Sequence, residues 1–183
     1  CEEALLDSAC PKDVQLLCAP RKPEHFETAF AALGGRNRCT RRSDPTPGPA
    51  GRDRFLLDTI GELRAAYALA DVVFVGRTFG NQGGSDPIEP IALGKPVVLG
   101  PRFANFEHIC RLFTAAGAAR IAPDPSALAD QLRTLLADAG ARGRMVAAGA
   151  EVIRSQQGAT DRHARLIMNL LSTRPEQPGV RVP

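Results

Sequence analysis

The sequence predicts an α/β fold: a Rossmann-like, doubly wound parallel sheet followed by carboxyl-terminal helices. Three observations carry that expectation. Short apolar runs alternate with amphipathic helical stretches between residues 14 and 122. The clearest run, Asp71-Val72-Val73-Phe74-Val75, is apolar without alternation, as suits a strand buried on both faces. It ends in a long glycine-bearing loop and then a helix, and ligands of such sheets sit outside the carboxyl ends of the strands.

The elements follow in order. Residues 2–9 read as a short helix and residues 14–19 as a strand. Residues 23–33 place Phe26, Phe30 and Leu33 on one helical face, and Gly34-Gly35 ends that helix. A weak strand is expected over 36–42, and three prolines and two glycines make 43–53 a loop. Phe55-Leu56-Leu57 is a strand, 61–69 a helix, 71–75 a strand, 76–85 a loop and 87–93 a helix. Strands at 96–99 and 118–122 flank a helix at 106–116. Helices follow at 126–138, 142–154 and 158–171. Residues 1–172 are thus one domain, and the proline-bearing tail 173–183 is expected to be disordered.

Composition excludes several classes. Hydrophobic residues at 44% and charged residues at 23% suit a globular core without disulfides or metal. The net charge of +3 is mild, and the densest basic cluster (Arg36, Arg38, Arg41, Arg42) lacks interleaved aromatics, so no nucleic-acid partner is expected. The five cysteines, at 1, 10, 18, 39 and 110, have no CxxC spacing, which predicts free thiols and no metal site. No apolar run reaches the length of about 18 residues that a membrane span needs, so the chain by itself is expected to be soluble and cytoplasmic. It opens on Cys1 with a helix already under way, as a fragment would.

Four loops at strand ends carry candidate chemistry. Pro20-Arg21-Lys22 offers two cations, with Arg21 able to grip an anion through its planar fork. In 58–63, Thr59 and Glu62 have capping-box spacing, while Ile60, Gly61 and Glu62 could equally present backbone to a ligand. The ten-residue loop 76–85 carries four glycines. There Gly83, Gly84 and Ser85 could wrap a phosphate, and Glu89 could accept from two ribose hydroxyls. Asp86, Pro87 and Glu89 also make a sound helix start, but a helix start needs neither the glycines nor the long loop. In 100–106, Asn105 is expected to cap a helix and Arg102 could serve an anion. Neither GxGxxG nor GxxxxGK[ST] occurs, and His25, His108 and His163 form no nucleophile–base set.

Gly83-Gly84-Ser85-Asp86-Pro87-Ile88-Glu89-Pro90 and Ala92-Leu93-Gly94-Lys95-Pro96-Val97 resemble the signature of bacterial Kdo (3-deoxy-D-manno-octulosonic acid) transferases. The likeness extends to residues 19–26, 58–63, 67–72, Gly100-Pro101 and Asn105-Phe106, and so across roughly residues 2–171. The resemblance implies the carboxyl-terminal half of a two-domain GT-B glycosyltransferase that binds CMP-Kdo as donor substrate, with no other cofactor. Carried over by motif, Pro20 and Arg21 would lie near cytidine and phosphate. Ile60, Gly61 and Glu62 would give backbone to the nucleotide. Gly84, Ser85 and Asp86 would face the phosphate, and Glu89 would hold the ribose. Glu2 and Glu3 look like the tail of the family's glycine-containing loop at the start of this domain.

Ser85-Asp86 stands where the family commonly has His-Asn, and an Asp beside a phosphate is repelled unless a cation or donor offsets it. The catalytic base, the lipid A precursor site and the membrane-associating region belong to the family's amino-terminal domain. The full-length enzyme is accordingly expected at the cytoplasmic face of the inner membrane, in lipopolysaccharide assembly. The chain alone is expected to bind CMP or CMP-Kdo weakly and turn over nothing. Two alternatives stay open: half of a UDP-sugar-dependent GT-B transferase or epimerase, and a truncated, non-catalytic nucleotide-binding module.

Overall fold

A computed structural model describes residues 2–44 and 51–172, without the side chains of 159–162. Cys1, part of the loop expected at 43–53, and the tail expected to be disordered therefore lie outside the described residues.

Helix α1 (Glu2–Ala9) leads into β1 (Leu16–Cys18), and a 3-10 turn (Pro23–His25) runs into α2 (Phe26–Ala32). After Gly34, at φ 90°, the stretch expected to be a weak strand divides into α3 (Gly35–Arg38) and β2 (Cys39–Arg41). Next come β3 (Arg54–Leu56), α4 (Leu63–Leu69), β4 (Val73–Val75), α5 (Ile88–Ala92) and β5 (Val97–Leu99). A second 3-10 turn (Ala104–Phe106), α6 (Glu107–Ala115) and β6 (Ala119–Ile121) precede α7 (Pro125–Ala137), α8 (Ala139–Gln156) and α9 (Ala159–Ser172).

All strand pairs are parallel, as the alternation of strands and helices requires. Among the described residues they group as two three-stranded sheets, β1-β3-β2 and β4-β5-β6. The second sheet is covered on both faces. Val97 and Leu99 pack with Ile91, Phe113 and Val152 on one side, while Val98 meets Leu128, Leu132, Leu135 and Met145 on the other. In the first sheet Leu16, Cys18 and Leu56 bury against Ala29 and Leu33, but Leu17 on the opposite face of β1 is 43% exposed. Coverage of both faces, expected throughout, is thus complete only in the second sheet. Leu6 of α1 touches the cores of both sheets and joins them.

The chain ends differently from its core. On α9, Leu166, Ile167, Met168, Leu170 and Leu171 are all more than half exposed, so this helix does not pack on its own sheet. The free thiols Cys18, Cys39 and Cys110 are buried, and burial pushes the Cys18 thiol up to about 12. No described helix is long and apolar enough to cross a membrane.

Candidate functional site

Because β1 and β3 pair in register, Cys18 opposite Leu56, the loops that carry Pro20-Arg21 and Ile60-Gly61-Glu62 leave the same end of the sheet from neighbouring strands. The register is prolonged by Leu57 N donating to Cys18 O at 2.8 Å. Asp58 is buried at the base of this pair of loops. Its carboxylate accepts from Ser43 N (2.9 Å), Ser43 Oγ (2.5 Å) and Arg41 Nε (2.7 Å). Burial raises this carboxyl, but the Ser43 and Arg41 donors together outweigh it and hold it below the usual carboxylate range.

A carboxyl depressed in the folded state adds stability above its unfolded pKa, and that stability is lost as pH falls through the folded value. Urea unfolding from neutrality to about pH 3, spanning the ordinary Asp value of about 3.9, should therefore show a steeper loss of stability in the parent than in Asp58→Asn. Parallel curves would remove Asp58 from the acid limb.

The Thr59–Glu62 pair does not form the expected capping box. Thr59 Oγ1 donates to Glu62 Oε2, and Arg42 donates to Glu62 Oε1 through Nε (3.2 Å) and Nη2 (3.0 Å). Those donors, Thr59 first, lower the Glu62 carboxyl. Both of its oxygens are engaged, which leaves backbone as what Ile60, Gly61 and Glu62 present. Gly61 adopts φ 90°, and Ile60 stands 74% exposed beside it.

The loop leaving β4 is held from within. Gly84 N donates to Arg77 O at 2.8 Å, so the amide expected to face an anion is already committed. Gly84 is glycine for two reasons: its φ is +85°, and a Cβ would stand 3.0 Å from the Phe103 Cα. Asn105 is not a helix cap. Its N–H donates to Gly83 O (3.0 Å) and its Nδ2 to Gln82 O (3.4 Å), tying the exit of β5 to the loop. Arg102 Nη1 donates to Phe79 O at 2.8 Å. The buried Thr78 donates to Val75 O (3.0 Å) and accepts from Gly100 N (2.8 Å), binding the two exits together.

Asp86 Oδ1 accepts from Ile88 N at 2.7 Å, but the residue that caps α5 is Pro87, so the cap expected at Asp86 is displaced by one position. Glu89, 42% exposed, turns toward Arg64 of α4 at 3.9 Å. This contact connects the β3 loop region to the β4 loop region. Tyr67 of α4 is within electrostatic reach of the acidic groups at the start of α5. Burial first, then the charges of Glu89 and Asp86, push its hydroxyl up to about 12. No hydrogen bond or ion pair among the described residues joins Pro20-Arg21 to Gly84-Ser85-Asp86 directly.

Of the cations on these loops, Lys22 pairs with Glu24, Arg42 with Glu62, Arg77 with Gln82 and Arg102 with Phe79 O. Arg21 is exposed and has no partner among the described residues, and neither does the Ser85 hydroxyl. Sequence reasoning missed Arg64, Thr78 and the tie made by Asn105. Each acts across the chain on a partner 22 to 25 positions away, a distance over which local pattern carries no signal. A separate concavity of about 450 Å³ near Gly117, Arg120, Gln131 and Arg144 contains none of the candidate residues.

No family model matches the chain. It is 38% identical to the 3-deoxy-D-manno-octulosonic acid transferase of Bordetella pertussis, over 85% of this chain and 36% of that protein. The transferase of the same name from Haemophilus influenzae is 32% identical, over 80% of this chain and 35% of that protein. The chain therefore spans about a third of the length of these curated relatives. Among solved structures it superposes on the C-terminal CMP-Kdo binding domain of WaaA from Acinetobacter baumannii. The TM-score is 0.73 and the identity 32%, covering 82% of this chain and 80% of that one. Fold and loop arrangement thus define a Rossmann-like domain of the GT-B glycosyltransferase class. The chain belongs to the Kdo transferase family and corresponds to its carboxyl-terminal domain.

Proposed function

We propose that this chain holds the donor CMP-Kdo for a transferase that delivers Kdo to a lipid A precursor. The observation that carries the reading is the cation count at the carboxyl ends of the strands. Several basic side chains gather there, and Arg21 alone is left without a partner among the described residues. A free guanidinium beside an exposed backbone loop suits a phosphodiester, which it can grip with two parallel N–H donors. The structural relative named as a CMP-Kdo binding domain supports the same assignment.

Within this reading Pro20 and Arg21 flank the cytidine and its phosphate. Ile60, Gly61 and Glu62 offer apolar surface and backbone to the nucleotide. Gly84, Ser85 and Asp86 edge the phosphate side, where the unpartnered Ser85 hydroxyl can donate. The Asp86 charge is partly offset by the Ile88 N–H it already accepts. Glu89 accepts the ribose hydroxyls once it leaves Arg64.

Inverting transfer needs a base to deprotonate the acceptor hydroxyl. We assign that base, the acceptor site and the association with the inner membrane to the amino-terminal domain of the family, and lipopolysaccharide assembly to the whole enzyme. The exposed apolar side chains of α9 are the surface on which that domain would rest. This chain alone should therefore bind donor without turnover.

Calorimetric titration of the chain with CMP and with UDP, at matched salt and pH, tests the donor assignment. Saturable binding of CMP in preference to UDP is expected. A preference for UDP overturns the Kdo reading in favour of a UDP-sugar enzyme, and silence for both removes the donor site from this chain acting alone.

A further inference from the structure

The loop between β4 and α5 contains a backbone feature that the donor reading leaves unused. Arg77 has φ 62°, the one non-glycine residue among those described with a left-handed backbone. That conformation turns successive amides toward the same point, the arrangement that makes a concave anion-binding nest. The anion is supplied by the chain itself. The carboxylate of Glu2, the first residue of α1, accepts from Arg77 N through Oε2 and from Phe79 N through Oε1, the latter at 2.6 Å. A Cβ at Gly76 would stand 3.2 Å from Glu2 Oε2, so the carboxylate lies close against the turn.

The opposite side of the same turn is held by donors. Arg102 Nη1 donates to Phe79 O and Arg102 N to Thr78 O, each at 2.8 Å, and Gly84 N donates to Arg77 O. Inward amides thus meet Glu2, and outward carbonyls meet Arg102 and Gly84. The turn is clamped between a carboxylate 75 residues away in sequence and a guanidinium from the exit of β5.

We infer that Glu2 is a positioning residue for the donor site: by filling the Arg77–Phe79 nest it fixes the left-handed turn and so sets where Gly84 and Ser85 stand. This rests on the donor role proposed above for Gly84, Ser85 and Asp86. Charge and geometry are both needed. A carboxylate gives each amide a charge-assisted acceptor. Glutamine in the same place keeps one acceptor and sets an NH2 against the other amide. Aspartate keeps the charge but is one methylene shorter.

The test compares Glu2→Gln, Glu2→Asp and, as a remote loss of one carboxylate, Glu151→Gln on α8. Amide hydrogen exchange measured by NMR reads Arg77, Phe79 and Gly84 one by one. Urea unfolding reads global stability, and calorimetry reads CMP. For Glu2→Gln we expect exchange at Arg77 and Phe79 to rise at least ten-fold, or ~1.4 kcal/mol, while amides of α7 and α8 stay unchanged. CMP affinity should fall in parallel, Glu2→Asp should restore part of both, and Glu151→Gln should alter neither.

Unchanged exchange at Arg77 and Phe79 in Glu2→Gln overturns the inference, and so does a rise shared equally by every amide, which marks global destabilisation. Faster loop exchange with undiminished CMP affinity overturns the link between the turn and the donor. If the parent chain binds no CMP while its turn still depends on Glu2, the donor reading fails and the clamp survives. The exchange measurement therefore separates the two failures.

Discussion

Asp7→Ala is expected to be strongly destabilising, costing ~3–5 kcal/mol, because it leaves a buried guanidinium short of its charge partner. Arg54, at the start of β3, is 2% exposed. Its Nε donates to Asp7 Oδ1, its Nη1 donates to Val14 O at 3.0 Å, and Asp53 Oδ2 lies 3.0 Å from Nη1. Asp7 also accepts from Arg38 Nη1 at 3.2 Å, so one carboxylate on α1 ties together β3 and α3. Removing it costs more than a surface pair, whose worth is ~0–1 kcal/mol, because Arg54 cannot reach water to recover its solvation. Asp53 remains as a partial partner, which points to the lower end of the range.

Against a folding stability of ~5–15 kcal/mol, that loss moves much of the population toward the unfolded state. Urea denaturation of Asp7→Ala, Arg54→Met and the double variant Asp7→Leu/Arg54→Met measures it. The double variant should be more stable than Asp7→Ala, since a well-packed apolar pair can replace a buried ion pair at little cost. A loss below ~1 kcal/mol in Asp7→Ala would show that Asp53 alone satisfies Arg54.

Arg21→Ala carries the second large effect, on binding. A charged hydrogen-bonding group is worth ~1.5–3 kcal/mol, so CMP affinity should fall ~10- to 150-fold, with no change in unfolding midpoint because Arg21 has no partner among the described residues to lose. Glu89→Ala should also weaken CMP, by less. In the free chain Glu89 lies 3.9 Å from Arg64, and the carboxylate must exchange that contact for the ribose hydroxyls. The comparison of CMP with cytidine assigns the groups. Arg21→Ala should narrow the difference between the two ligands, because it removes the proposed phosphate contact. Glu89→Ala should weaken both alike. An Arg21→Ala chain that binds CMP as the parent does would remove Arg21 from the donor site.

Much of this was legible along the chain. Val73, Val97, Val98 and Leu99 are apolar without alternation, and each became part of a buried parallel strand. Asp86 before Pro87 was readable as a helix start, and α5 does begin there, with Pro87 as its cap and Asp86 Oδ1 accepting from Ile88 N. Most boundaries moved by one to three residues, and the larger changes are the short 3-10 turns that open α2 and α6 and the extra helical turn between a glycine pair and β2. Thr59 and Glu62 had the spacing of a capping box but form a side-chain pair that Arg42 completes from β2's exit. Asn105 had the composition of a cap but reaches back to Gln82 and Gly83. In both cases a local rule met a stronger partner from elsewhere in the fold.

The sequence by itself determined the order and type of the elements, the loops that bear candidate chemistry and the family, because hydrophobic period, turn residues and motif spacing are local and act within a few residues. Only the tertiary structure decided which charged groups were left free. Arg42, Arg64, Arg77 and Arg102 look as available as Arg21 in one dimension, yet each finds an acceptor in the described structure and Arg21 does not. It also decided that Arg54 would be buried and that Glu2 would close the nest at Arg77, 75 residues away. Hydrogen bonds and ion pairs are satisfied by proximity in space, and that proximity exists only once the sheets and α1 have packed together.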